Sequence, residues 1–131
     1  MDPLEVNGEQ PRIEGLQCEE LLALEFWHAG ELHESANQVY LKFAGRWHRL
    51  YFDCGIVFWR SNQEGPGGYY AEETQSEFKL RDLGGCHSVR GTILEEIRTA
   101  AMPGGSKVEL LFQGGKSVVV SCIDDRSEVA W

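Results

Sequence analysis

Residues 39–54 read VYLKFAGRWHRLYFDC. Val39, Leu41 and Phe43 fall on one parity, with Tyr40 and Lys42 on the other. Beyond a turn at Ala44-Gly45-Arg46, Leu50, Phe52 and Cys54 share a parity opposite Arg49, Tyr51 and Asp53. Successive strand residues point to opposite faces, so the stretch predicts a β-hairpin with one buried face. A second stretch repeats the pattern. Val108, Leu110 and Phe112 alternate, Gly114-Gly115 supplies a turn, and Val118, Val120 and Cys122 continue the alternation. Gly-Gly between alternating runs is a hairpin signal.

The two hairpins read as copies. Val39, Leu41, Phe43 and Gly45 lie over Val108, Leu110, Phe112 and Gly114 at a constant offset of 69. The spacing of 36 from Cys18 to Cys54 recurs from Cys86 to Cys122, and Leu24-Glu25 lies over Leu94-Glu95. Val57-Phe58-Trp59 and Val129-Ala130-Trp131 close the two units. Each unit then carries four strands, at about 21–28, 38–43, 47–54 and 56–60 in the first and 91–99, 107–112, 117–122 and 128–131 in the second. The run Glu19–Glu25 is rich in helix formers and fits a short helix as well as a strand. Two small sheets, each apolar on one face, must cover one another or close on themselves. The expected fold is all-β, or α+β with one short helix. It is a β-sandwich or partly open barrel of two duplicated antiparallel units.

A chain of 131 residues has the length of one domain. The units span 12–60 and 80–131, joined by a connector loop at 61–79 that Gly65-Pro66-Gly67-Gly68 interrupts. Residues 1–11 read as a flexible arm. The net charge is −9, spread unevenly. Residues 1–36 hold nine acids against one base, whereas residues 37–60 hold Lys42, Arg46, Arg49 and Arg60 against Asp53 alone. An acidic chain argues against a general nucleic-acid binder, because counterion release needs a basic surface. No run of 18 apolar residues suits a membrane span. The opening MDPLEVNGEQPRIEG lacks the basic and apolar regions of a secretory signal, so the cytoplasm is the expected location.

Chemistry-bearing residues form no catalytic pattern. There is no CxxC and no HExxH, and His28 and His33 stand five apart rather than four. No metal, cofactor or enzymatic role is expected. Cys54 and Cys122 have inward parity, and all four cysteines are expected to be free thiols. A pocket lined by His48 or His87 would instead favour a small-ligand-binding domain.

The segments 107–125, KVELLFQGGKSVVVSCIDD, and 46–59, RWHRLYFDCGIVFW, resemble the immunity proteins of polymorphic-toxin and contact-dependent growth inhibition systems of bacteria. The likeness lies in size, acidity and a strand–Gly turn–strand followed by Asp. It implies a cytoplasmic inhibitor that binds one toxin domain, often a basic nuclease. Charge steering toward a basic cleft fits such a role. The loop that breaks the repeat places Tyr69 and Tyr70 beside Glu72, Glu73 and Glu77, as aromatic anchors in an acidic rim. Asp124, Asp125 and Glu128 extend the expected partner-binding set. The alternative is a single-stranded nucleic-acid face at Tyr40, Lys42, Trp47, Arg49 and Tyr51, where aromatics alternate with cations.

Overall fold

The structure is a computed structural model that describes residues 4–131, with the backbone alone at 69–71. It is mostly β, with one short helix. The first four-strand run comprises β2 (Cys18–His28), β3 (Glu31–Phe43), β4 (Arg46–Asp53) and β5 (Ile56–Gln63). Ahead of it lies β1 (Val6–Asn7), and after it come β6 (Tyr69–Ala71) and β7 (Ser76–Asp82). These strands form one mixed sheet in the order β1-β5-β4-β3-β2-β7-β6, with the three-residue β6 at its edge. The helix α1 (Leu83–Cys86) leads to β8 (Leu94–Met102), β9 (Gly105–Phe112), β10 (Lys116–Ile123) and β11 (Arg126–Ala130), an antiparallel sheet of four. Neither sheet closes on itself, so the barrel alternative is corrected.

Val39, Leu41, Phe43, Val108, Leu110 and Phe112 are all buried, as their alternation predicts. One apolar cluster draws on both sheets, with Leu21, Leu50 and Trp59 from the first and Leu94, Val118 and Val120 from the second. Burying a side chain of this size contributes roughly 1.5–3 kcal/mol. The sheets are also joined by hydrogen bonds. Buried Ser106 donates its hydroxyl to the Gly55 carbonyl at 2.6 Å. The Val129 amide donates to Ser35 Oγ at 2.9 Å. Along another border, Leu94 N–H reaches Leu16 O at 3.0 Å and Gly15 N–H reaches Leu94 O at 2.7 Å.

The registers of the two runs correspond. Val39 faces Leu50 and Leu41 faces His48, whereas Val108 faces Val120 and Leu110 faces Val118. The third and fourth strands therefore match at an offset of 70, which corrects the cysteine alignment. Cys54 corresponds to Asp124, and Cys122 to Phe52. Cys18 faces Phe43 as Leu94 faces Phe112, and Cys86 lies in α1. Likewise Trp59 corresponds to Val129 and not to Trp131, since each faces the matched pair Leu50 and Val120.

One open alternative is resolved, and two further expectations are corrected. Residues 19–25 are strand throughout. Hydrogen bonding to β3 on one side and β7 on the other outweighs their helix propensity. The connector 61–79 is partly strand, because β5 runs on to Gln63 and β6 and β7 follow. The expected arm is partly docked. Val6 and Asn7 pair in parallel with Val57 and Phe58, and Pro11 is buried. Residues 1–3 lie outside the described residues.

Candidate functional site

Strand alternation gathers five turns at one end of the sheets. They are Ala29-Gly30, Cys54-Gly55, residues 72–75, Pro103-Gly104 and Asp124-Asp125. Contacts between the sheets align the two sets of turns. Ser106 reaches Gly55 across the sheets, and within the second sheet Asp124 N–H bonds Gly104 O at 3.0 Å. These turns hold no Lys or Arg; they hold Glu72, Glu73, Asp124 and Asp125 and adjoin Asp53, all exposed, with exposed Arg126 adjoining the Asp124-Asp125 turn. Asp124 and Asp125 take φ of 51° and 60°, the left-handed pair of a tight hairpin turn that Asp tolerates. Asp125 and Asp53 both raise the thiol pKa of Cys54, Asp125 the more, so the turns of the two sheets sense one another.

Of the predicted partner-binding residues, Glu72, Glu73, Asp124 and Asp125 therefore share this end. Glu77 lies on β7, half-buried and 3.7 Å from Lys79. Glu128 stands exposed along β11. Tyr69 and Tyr70 form the backbone of β6, and their side chains lie outside the described residues. Asp53, the last residue of β4, stands at the acidic end as well. Its signal was an Asp-Cys-Gly turn.

Tyr40, Lys42, Trp47, Arg49 and Tyr51 do share one face of the larger sheet, away from the core. Tyr40 pairs with Arg49, and Lys42 with Trp47. The cations lie over rings of this same face, Lys42 Nζ 5.7 Å from the Trp47 ring and Arg49 Cζ 4.8 Å from the Tyr51 ring. Tyr51 stacks on Phe58 at 4.9 Å, with 10° between the planes. Each residue is half-buried by its neighbours.

A cavity of about 700 Å³ opens near the far end of the larger sheet, beyond the Ala44-Gly45 turn. Residues 8–13 form one wall. Exposed Leu16 and Ala44 contribute apolar surface over the buried side chains of Ile13, Phe43 and Trp59, and Arg12, Arg46 and His48 contribute polar groups. Arg60 fixes the wall. Its guanidinium donates to Asn7 O at 3.2 Å, Asn7 Oδ1 at 2.7 Å and Trp59 O at 2.7 Å. His48 is only 7% exposed, and its Nδ1 lies 2.8 Å from Ser61 Oγ. Burial, and then the Arg46 charge, lower its pKa below 6.5, which favours the neutral ring. The sequence reading tied His48 to a possible pocket. It missed Arg12, Ile13 and Arg46, because a docked N-terminal segment leaves no periodic signal.

The four cysteines are free thiols in different settings. Cys18 and Cys122 are buried and Cys54 and Cys86 exposed, so the inward position expected for Cys54 is corrected. It sits in the turn after β4. Burial, the largest cause, pushes the Cys18 thiol up to about 12. Among the described residues, no group of three or more His, Cys, Asp or Glu side chains could hold a metal ion, and no helix is long and apolar enough to cross a membrane. Comparison with family models, curated proteins and solved structures found no match.

Proposed function

We propose that the chain is a cytoplasmic inhibitory binding protein of the immunity type, which docks its acidic turn end on the basic cleft of a toxin domain. The observation that supports this reading is that acids at the end of β4, in the turn after β6 and in the turn after β10 lie toward the same end of the strands, with no Lys or Arg within the turns. Carboxylates held on rigid hairpins resemble the spaced charges of a nucleic-acid backbone. They steer a basic partner before contact and need little ordering afterwards. The matching registers also support descent of both four-strand runs from one duplicated unit, packed face to face as a sandwich.

The test is binding to the toxin domain encoded by the adjoining reading frame. A one-to-one complex on size exclusion, with loss of toxin activity, is the expected result. No complex, or no toxin domain in that frame, contradicts the proposal.

The Tyr40–Tyr51 face supports a second reading as a single-stranded nucleic-acid platform, since its five residues occupy adjacent strands on one face. Its cations already lie over their own rings, which ranks it second. Gel shifts with an oligonucleotide at two salt concentrations separate the readings. A salt-sensitive shift favours the platform.

A further inference from the structure

We propose that the cavity beside His48 is a binding site for a small organic anion with an apolar body and one anionic head. The proposal is independent of the acidic end, which lies at the other end of the strands.

Four observations carry it. The volume, about 700 Å³, falls in the range of small-molecule pockets, roughly 300–1,000 Å³. The wall presents the exposed apolar side chains of Leu16 and Ala44, backed by buried Ile13, Phe43 and Trp59, beside a few polar groups, the composition that holds and orients a small ligand. Two of its cations lack counterions. The side chains of Arg12 and Arg46 make no ion pair and no hydrogen bond among the described residues, while Arg60 is spent on neutral oxygens. In an acidic chain, two unpaired guanidinium groups at one cavity are a bias toward an anion, because a planar guanidinium donates in parallel to a carboxylate or phosphate. Finally, the site interrupts the repeat. His48 occupies the position that Val118 fills in the second run, fully buried against Leu110. A valine there would serve the core. The imidazole instead uses Nδ1 toward Ser61, and Nε2 has no partner among the described residues. The structure thus leaves a ring nitrogen and two guanidinium groups on the lining of one cavity, with Glu9 as the acid on the same wall.

The probe is 1-anilinonaphthalene-8-sulfonate, an apolar anion, with uncharged N-phenyl-1-naphthylamine as its neutral counterpart. Both are titrated by fluorescence into the full chain and into the Arg12→Gln/Arg46→Gln variant. Both arginines are exposed, so the variant is expected to fold, and circular dichroism checks this. The expected result is one saturable site for the sulfonate, weakened tenfold or more in the variant. The neutral probe binds both proteins alike. Backbone amide shifts should move at residues 8–16, 43–48 and 59–62. Absent saturable binding, equal sulfonate affinity in both proteins, or shifts confined to other residues each overturn the proposal.

Discussion

The two four-strand runs share a core and differ around it. Val39, Leu41 and Phe43 hold the places of Val108, Leu110 and Phe112, with equivalent partners across the strands. Around those matching positions the first sheet also holds β1, β6 and β7, His48 stands where the second run has Val118, and the outer face is cationic and aromatic. The second run adds no strand to its sheet, and its outer positions include Glu109, Leu111 and Val119. The repeated positions carry the fold. The departures carry the cavity and most of the cationic surface, while the acidic end borrows turns from both runs.

If the runs are equivalent in the core, equivalent truncations must cost alike. Leu41→Ala and Leu110→Ala are each expected to destabilise by about 2–5 kcal/mol, because both side chains are fully buried. Urea unfolding followed by fluorescence and by circular dichroism measures this. Coincident transitions are expected for both variants. Loss of the second sheet alone in Leu110→Ala would show two independent units.

A smaller effect separates the runs at the exchanged position. Val118→His places an imidazole without a designed partner in the second run and should cost about 2 kcal/mol or more. His48→Val restores the repeat and should change stability by less than 1 kcal/mol, since the Ser61 hydroxyl it leaves is exposed. The pH response gives the sign independently. The folded state holds His48 below its unfolded pKa of 6.5, so the unfolded chain binds the proton first. This contribution is complete above pH 6.5 and is lost as pH falls through that value. Stability curves between pH 5 and 8 should flatten in His48→Val. An unchanged slope would show that the ring is not held neutral.

The smallest effects concern the thiols. Denatured, non-reduced protein should titrate four free groups. In the native protein, Cys54 and Cys86 should react with a disulfide reagent before Cys18 and Cys122. Cys54 should react more slowly than a free thiol, because Asp125 and Asp53 disfavour its thiolate. Asp125→Asn should accelerate it.

Legibility followed periodicity. The hairpins at 39–54 and 108–122 were readable because each buries one face and alternates cleanly. The strand at 18–28 was ambiguous because it is central. Leu21 and Ala23 face the core, while Leu22 and Leu24 pack on the opposite face, so Leu-Leu-Ala-Leu shows no alternation. The equal cysteine spacings were coincidence. The β3–β4 turn leaves two residues unpaired and the β9–β10 turn three, which moves the later offset to 70 and breaks the match. At the candidate site, the loop acids and the turn aspartates were visible singly. Their shared end was not, since it depends on how two sheets align. The cavity depends on a segment that docks by backbone pairing, which composition does not encode.

An acidic turn end that receives a basic protein partner must lose association rate as salt screens it. The direct test is surface-binding kinetics against the toxin domain of the adjoining reading frame at 0.1 M and 1 M salt, where the Debye length falls from about 10 Å to about 3 Å. The chain is compared with Glu72→Lys/Glu73→Lys, with Asp124→Asn/Asp125→Asn, and with Lys42→Gln at the opposite end. Asparagine is chosen because it tolerates the positive φ of both turn positions. The expected result is a steep loss of association rate with salt, a tenfold or greater loss in each acidic variant, and no loss in Lys42→Gln. Rates untouched by both acidic variants, or reduced by Lys42→Gln alone, would contradict it.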